Sequence, residues 1–142
     1  MNKIFTYISA LLLMVAFTGT LLADDLYIKT PSGLEYKDLK VGSGMEARLG
    51  ETAVIHFVGW LNDNGQRGKE IFNSRKQKKR VSFQIGTDKV MQGWNEGVIG
   101  MQTGGTRMLR IPPELGYGAK AIDDVVPPHA YLIFIIELLE LK

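Results

Sequence analysis

The chain has 142 residues, of which 17 are Lys or Arg and 15 are Asp or Glu. This near-neutral balance gives no basis for nucleic-acid binding, which requires a clustered excess of cations. The absence of cysteine excludes disulfides, thiol nucleophiles and cysteine-based metal sites. The length is sufficient for one domain with its own hydrophobic core and too short for two.

The N-terminal segment has the layout of a secretory signal peptide. Lys3 precedes an apolar run over residues 4–17, and the small residue Ala23 stands before two aspartates. The run is shorter than the roughly 20 residues of a membrane-spanning helix. We therefore expect a signal peptide at 1–23 that is cleaved after Ala23, and export to the periplasm or the medium. An uncleaved N-terminal anchor is the alternative.

Residues 24–33 are polar and contain Pro31 and Gly33, so we expect a loose N-terminal arm. One domain is expected to follow over residues 34–142. Residues 62–65, Asn-Asp-Asn-Gly, predict a turn, and residues 66–69 are expected to form a surface loop. Alternating patterns and β-branched or aromatic residues predict strands in this first part of the domain. These strands are expected at 34–41, 52–61, 69–74 and 81–85.

A run of five cations occupies residues 75–80, Arg-Lys-Gln-Lys-Lys-Arg. We expect a solvated loop, because like charges repel one another in any packed arrangement. Contact with anionic membrane surfaces or with acidic client proteins is the alternative interpretation.

One short helix is predicted after residue 88. The Asp88 carboxylate would cap it by accepting a hydrogen bond from a free backbone N–H, and Gly100 would end it in a left-handed conformation. The apolar residues between them recur at helical spacing and would share one face. They are Val90, Met91, Trp94 and Val98.

Two more strands complete the domain, at 106–111 and 131–141, separated by a long connection over 115–128. Several strands with one short helix predict an α+β domain with an antiparallel sheet. The catalytic possibilities are few. His56 and His129 lie in or beside predicted strands, where a single histidine is typically structural. No nucleophile motif, phosphate-binding loop or metal-ligand spacing occurs, so neither a metal nor another cofactor is expected.

Aromatic and apolar residues near the predicted turns are numerous, and composition alone favours simple core packing for them. Five ordered segments nevertheless resemble the motifs of FKBP-type peptidyl-prolyl isomerases. They are Val90–Val98 (V-I-x-G-W-x-E-G), Val54–Gly59 (V-x-H-Y-x-G), Phe72–Ser74 (F-D-S), Tyr117-Gly118 with Val126–Ala130 (A-Y-G and I-P-P-N/H-A) and Leu132–Leu141 (L-x-F-x-V-E-L-L).

The resemblance implies a half-open antiparallel sheet wrapped around one short helix, with an apolar pocket between them. Trp94 would form the pocket floor. The hydroxyl of Tyr117 and the backbone N–H of Met91 would bond ligand carbonyls, and Asn73, Phe134, Trp94 and Tyr117 would carry the catalytic roles. The walls would consist of Phe57, Phe72, Val81, Val90, Val126 and Phe134.

Five residues depart from the family pattern. Asn73 stands where Asp is usual, Phe57 where Tyr is usual, Val81 where an aromatic residue is common, Lys89 where an acidic residue is common, and Met91 where Ile is usual. These departures predict weaker macrolide binding with isomerase activity retained. The implied function is isomerisation of X–Pro bonds during the folding of exported proteins, by a monomer that binds proline-containing polypeptides and, as a further ligand class, macrolides. Membrane contact after cleavage is not expected. The alternatives are a proline-peptide-binding chaperone or assembly factor, and a purely structural exported domain.

Overall fold

The computed structural model describes residues 26–142. The predicted signal peptide at 1–23 lies outside the described residues. Between residues 26 and 142, no helix combines the length and the apolar character needed to cross a membrane.

Long and short strands form one antiparallel sheet. They are β1 Ile28–Lys29, β2 Glu35–Lys40, β3 Thr52–Asp63, β4 Gln66–Asn73, β5 Val81–Gln84, β6 Thr106–Ile111 and β7 Leu132–Leu141, with helix α1 at Gln92–Val98 and a 3₁₀ turn at Pro113–Leu115. The order of the strands in the sheet is β1-β2-β6-β7-β3-β4, and β5 also pairs with β3. The central strands β3 and β7 pair from Ala53 with Leu141 to Leu61 with Leu132. The predicted α+β class is thereby confirmed.

The hydrophobic core lies between one face of the sheet and α1. Because successive side chains of a strand point to opposite faces, every second residue of β6 and β7 enters the core. On β6 these are Arg107, Leu109 and Ile111, which are buried while their neighbours are half-buried. On β7 they are Leu132, Phe134, Ile136 and Leu138, all fully buried.

Helix α1 lies directly against β6 because two of its residues have no side chain. A Cβ atom on Gly93 would come within 2.7 Å of Ile111 Cγ2, and one on Gly97 within 2.5 Å of Leu109 Cδ1. Glycine in a helix costs about 1 kcal/mol relative to alanine. Here that cost accompanies a contact between helix backbone and sheet that no larger residue permits.

The predicted cap of this helix is wrong. Helix α1 begins at Gln92, after Met91, and no side chain caps it. Instead, the buried Asn95 reaches back to the preceding loop: its Oδ1 accepts a hydrogen bond from Gly86 N (2.8 Å), and its Nδ2 donates to Thr87 O (2.6 Å). Gly100 has the expected left-handed φ of 85°, but it does not close the helix. Helix α1 ends at Val98, Ile99 is extended with a ψ of 130°, and Gly100 N donates to Ala47 O at 3.0 Å.

Arg107 holds the other end of α1. Its Nη1 donates to the carbonyls of Gly97 and Ile99, both at 3.0 Å. Its Nε donates to Asp38 Oδ1 at 2.7 Å, and its guanidinium carbon lies 4.6 Å from the centre of the Tyr36 ring. These contacts satisfy carbonyls that a helix end leaves without intrahelical partners.

Two sequence expectations require correction. Within the predicted arm, Ile28–Lys29 pairs with β2, and Ser32 Oγ donates to Glu96 of α1 at 2.7 Å, so residues 26–33 are not loose. Residues 66–69 begin β4 rather than forming a loop. The hairpin turns at Asn64-Gly65, both with positive φ (50° and 87°), which is typical of a two-residue Asn-Gly turn.

Candidate functional site

Trp94 of α1 is surrounded by three phenylalanine rings. The centre of the Trp94 ring lies 4.7 Å from the ring centre of Phe57, 5.4 Å from that of Phe134 and 5.7 Å from that of Phe83. The contacts with Phe57 and Phe134 are edge-to-face, at interplanar angles of 67° and 90°. Such geometries are favourable because a ring's positive edge meets a negative face. The rings therefore form one packed aromatic cluster between α1, β3, β5 and β7.

The predicted site residues differ in burial. Phe134 is 0% exposed, Val126 1% and Trp94 6%, and all three belong to the hydrophobic core of the domain. Six more of the predicted site residues are half-buried and pack against that core. They are Phe57, Phe72, Val81, Val90, Met91 and Tyr117. Nine of the ten predicted site residues therefore lie in the core or against it, and contacts with the Trp94 ring join Phe57 and Phe134 directly to the aromatic cluster.

Gly59 positions Phe134 and was not among the predicted site residues. It pairs with Phe134 across β3 and β7, and a Cβ atom at this position would lie 2.5 Å from Phe134 Cε1. The Phe134 ring therefore lies directly on the β3 backbone. The glycine that ends the Val54–Gly59 motif carried the signal for this contact, because close approach of a ring to backbone requires a residue without a side chain.

Asn73, the tenth predicted residue, is half-buried at the end of β4 and is not part of the apolar cluster. Its Oδ1 accepts hydrogen bonds from the backbone N–H groups of Arg75 (3.1 Å) and Lys76 (3.2 Å). Its Nδ2 donates to Glu70 Oε1 at 3.1 Å. The amide therefore organises the turn after β4 and uses its donor on a neighbouring carboxylate.

Ser74 is a second residue that sequence reasoning missed. It is fully buried, and its Oγ lies 2.8 Å from both His56 Nδ1 and the backbone nitrogen of Phe57, which donates to it. The same hydroxyl is 3.2 Å from Phe57 O, to which it donates. Ser74 and His56 thus fix the backbone that carries Phe57 and Asn73, which agrees with the structural interpretation of His56.

Tyr117 follows the 3₁₀ turn in the long connection before β7. The connection is closed by backbone bonds from Gly118 N to Pro113 O (2.9 Å) and from His129 N to Gly118 O (2.8 Å). Burial raises the pKa of the Tyr117 phenol, because desolvation disfavours the phenolate. The Tyr117 hydroxyl therefore remains a hydrogen-bond donor at neutral pH. A second donor, Trp94 Nε1, is buried and has no hydrogen-bond partner among residues 26–142.

The polar surroundings of the cluster contain no metal site: among residues 26–142, no three His, Asp or Glu side chains are grouped so as to hold an ion. A surface groove of about 660 Å³ lies elsewhere, between the β3–β4 hairpin and the N-terminal residues. Its lining includes Tyr27, Arg67 and Arg110 and does not include Trp94. A proline pocket over Trp94 therefore stays a prediction.

Comparison with known proteins gives consistent results. A family model described as FKBP-type peptidyl-prolyl cis-trans isomerase matches residues 43–139. The chain is 42% identical over 108 residues to an FK506-binding protein of Neisseria meningitidis serogroup B, covering 76% of this chain and 95% of that protein. It is 38% identical over 125 residues to FK506-binding protein 4 of Aspergillus oryzae, covering 88% of this chain and 24% of that protein.

Two solved structures have the same open antiparallel sheet with one short helix. The structure of AtFKBP13 matches with a TM-score of 0.73 and 37% identity, covering 82% of this chain and 99% of that one. FkpA from Escherichia coli matches with a TM-score of 0.72 and 35% identity, and the present chain covers 51% of it, about half its length.

Proposed function

Because the chain belongs to the family of FKBP-type peptidyl-prolyl cis-trans isomerases, we propose that it accelerates cis-trans isomerisation of X–Pro bonds and uses the aromatic cluster around Trp94 as the proline-binding site. The observation that carries this proposal is the position of Trp94. Its ring contacts three phenylalanine rings, of which Phe134 and Phe83 are buried and Phe57 is half-buried.

The physical problem is a rotation and not a bond cleavage. The barrier to rotation about a peptide bond is about 18–20 kcal/mol, because rotation breaks amide resonance. The uncatalysed X–Pro step takes tens to hundreds of seconds. A twisted amide is less polar than a planar one, so an apolar environment with little water favours it relative to the ground state. The apolar composition of the cluster supports this mechanism.

The residues would divide the work between packing and orientation. The proline ring would contact Trp94, with Phe72, Val81 and Phe134 limiting its movement. The hydroxyl of Tyr117 and the backbone N–H of Met91 would bond the carbonyls on either side of the rotating bond. The remaining apolar residues, Phe57, Val90 and Val126, would complete the walls. The donor state of the Tyr117 hydroxyl and the half-buried positions of Tyr117 and Met91 support these roles.

The neutral side chain of Asn73 leads us to expect a modest rate of isomerisation. An amide can donate and accept, but it adds no charge next to the rotating bond, and here its donor bonds Glu70. A protein that binds proline segments and isomerises them slowly would act as a chaperone or assembly factor. The bond of Asn73 to Glu70 favours this second function too. Measurement of the isomerisation rate distinguishes the two functions.

The decisive experiment is an exchange measurement by NMR on a proline tetrapeptide, complemented by a protease-coupled assay. We expect the cis-trans exchange rate to increase in proportion to protein concentration and FK506 to reduce it, since the relatives are named FK506-binding proteins. Line broadening of the peptide without faster exchange would instead identify a binding module. Unchanged peptide spectra at high protein concentration would contradict both functions.

We further propose that the protein acts on exported polypeptides. The signal-peptide layout of residues 1–23 supports this destination. Expression of the full chain in a bacterium, followed by fractionation and N-terminal sequencing, is expected to give a mature protein that begins at Asp24 outside the cytoplasm. Recovery of the intact N-terminus in the cytoplasmic fraction would contradict export, and recovery with the membrane would favour an uncleaved anchor.

A further inference from the structure

The segment from Arg75 to Arg80, which we name the basic rim, joins two parts of the candidate site. It begins after Asn73 and Ser74 at the end of β4 and leads into Val81, the first residue of β5. Each of its five cations is within three residues of Asn73 or Val81. Consecutive Cα atoms are 3.8 Å apart, so every cationic residue has its Cα within about 12 Å of a predicted site residue.

The basic rim is held in place by backbone hydrogen bonds. Gln77 N donates to Asn73 O (3.3 Å) and Lys79 N to Ser74 O (3.1 Å). Lys78, with a left-handed φ of 53°, donates its N–H to Arg75 O at 3.0 Å. Because Ser74 is fully buried, these bonds connect the segment to the core. The cations are therefore attached to a fixed backbone at the edge of the site.

Two of the five cations have anionic partners and three do not. Arg75 pairs with Glu137, and Lys76 pairs with Glu70 at 2.6 Å. Lys78, Lys79 and Arg80 are exposed and contact no carboxylate within residues 26–142. Three neighbouring cations of this kind create a positive potential that an anion from outside the chain would reduce.

The surroundings favour a polypeptide over a membrane as the source of that anion. Charge alone attracts a segment to an anionic membrane, and firm binding needs a second contribution, such as exposed apolar side chains that insert into the bilayer. The large apolar side chains that are exposed among residues 26–142 all lie outside residues 66–90; the nearest in sequence are Leu49 and Ile99. The basic rim therefore has the charge for an anionic surface but lacks the apolar residues that would insert into one.

From these observations we propose that the basic rim gives the site a preference for X–Pro segments with acidic side chains close to the proline. This inference rests on the proposed isomerase function. The other site loops differ in charge: Asp88 and Lys89 precede Val90, and two aspartates, Asp123 and Asp124, stand shortly before Val126. An acidic residue is therefore favoured on only one side of the proline, the side that faces Val81.

The test compares peptides that share one Leu-Pro centre and differ only in a flanking Glu, Gln or Lys, placed before or after the proline. At low ionic strength we expect kcat/KM for the best Glu peptide to exceed that of its Gln counterpart by roughly threefold to tenfold, the size given by a few charges at about 10 Å in water. The value of kcat/KM should decrease from the Glu peptide to the Gln peptide to the Lys peptide. These differences should become smaller in 0.5 M salt, because charges are then screened beyond a few ångströms.

Two triple variants localise the effect. Lys78→Gln, Lys79→Gln and Arg80→Gln together should bring the Glu-to-Gln ratio close to one. The matched control replaces three exposed lysines remote from the basic rim in the sequence, Lys29, Lys40 and Lys142, by Gln, and should keep the ratio of the unchanged protein. A ratio near one in the unchanged protein, or a preference that persists in the first variant, would overturn the proposal.

The Gln peptide separates this inference from the function on which it rests. Catalysis of the Gln peptide with no preference for Glu overturns only the role of the basic rim. Absence of catalysis with every peptide overturns the isomerase function and the preference with it. Vesicles of phosphatidylcholine with phosphatidylglycerol serve as the second arm. Vesicle binding that disappears in the first triple variant, together with a peptide ratio near one, would assign the basic rim to membranes and also overturn the proposal.

Discussion

The two tryptophans lie on opposite faces of the sheet, and their rings have different neighbours. Trp94 of α1 is 6% exposed and is surrounded by phenylalanine rings. Trp60 of β3 is half-buried and pairs with Ile133, on the face away from α1; the guanidinium carbon of Arg67 lies 5.1 Å from its ring centre. A ring in contact with the chain's own cation is partly covered by a charged group, whereas the Trp94 cluster consists of apolar side chains. Under the proposed function, the Trp94 face is therefore the one expected to receive a proline, and the Trp60 face is not.

The same contrast extends to β6, where Arg107 and Arg110 point to opposite faces. Arg107 is buried and bonds Asp38 and the end of α1. Arg110 is more exposed; it donates to Gly65 O at 2.8 Å, and its guanidinium carbon lies 3.7 Å from the Tyr27 ring centre. Cations thus occur on both faces, but on the α1 face the cation supports the helix that carries Trp94.

The largest effect is expected from Arg107→Met. This substitution leaves buried carbonyls without donors and Asp38 without its partner, so the free energy of unfolding should fall by about 3 kcal/mol. Arg110→Met, the matched change on the other face, should cost about 1 kcal/mol, because its contacts are partly solvated. Urea unfolding followed by circular dichroism measures both. Equal losses would show that the two faces do not differ in this respect.

Next in size is the effect of Trp94→Leu on activity. Removing the central ring takes away the predicted contact surface for proline, and kcat/KM on a proline tetrapeptide should fall at least about tenfold, or about 1.4 kcal/mol in the barrier. Trp60→Leu, on the opposite face, should retain most of the activity. The measurement needs urea unfolding of both variants as a control for folding. Full activity of the Trp94 variant would refute the site assignment.

A smaller effect is expected at Asn73. Asn73→Asp keeps the acceptor for the Arg75 and Lys76 backbone groups but places a carboxylate against Glu70. We therefore expect the benefit of the added charge in the double variant Asn73→Asp with Glu70→Gln, where kcat/KM should rise by about twofold to fivefold, less than one tenfold step of 1.4 kcal/mol. Glu70→Gln alone is the control. No gain in the double variant would show that the neutral amide does not limit the rate.

A similarly small effect on the rate is expected at Tyr117, where the side chain also affects the dependence of stability on pH. Burial raises its pKa above the usual 10.0, so the phenol stays protonated in the folded protein when tyrosines of the unfolded chain already lose their protons. Folding then retains a proton that the unfolded chain releases, and this contribution lowers stability as the pH rises above about 10. Absorbance titration near 295 nm should show one late-titrating tyrosine that is absent in Tyr117→Phe. Between pH 6 and 9 this group should leave the rate independent of pH, and Tyr117→Phe should lower it about threefold, the worth of one neutral hydrogen bond.

The sequence predicted the strands better than the helix. Period-two alternation identified 81–85 closely, because one buried face is sufficient to produce that pattern. The strand predicted at 106–111 has the bounds of β6. The start of α1 was missed since capping rules consider only neighbouring residues, whereas Asn95 bonds back to Gly86 and Thr87 from inside the helix. The burial of Arg107 had no sequence signal either, because an arginine in a strand pattern is usually exposed.

The candidate site was predictable only through motif order. Composition treated Phe57, Trp94 and Phe134 as ordinary core residues, and their packing in the structure is compatible with that interpretation. The hydrogen bonds of Ser74 to His56 and Phe57 depend on residues that β3 and β4 bring together, which no local pattern contains. The contacts of Asn73 are local by contrast, since an Asn side chain often bonds backbone groups two or three residues further on, but the segment was interpreted only as a charged loop. The pairing of Ile28–Lys29 was missed for the same reason, because a two-residue strand is too short to show alternation.

The contact of Gly93 and Gly97 with Ile111 and Leu109 has a consequence for redesign of this protein. Each glycine and the side chain opposite it share one small volume, so an added methyl group on the helix requires a smaller residue on β6. A substitution at Gly93 or Gly97 therefore requires a compensating substitution at Ile111 or Leu109, respectively. A designer who wishes to accommodate a bulkier substrate gains little by moving the helix and has to alter the outer residues instead, since the helix has no space behind it.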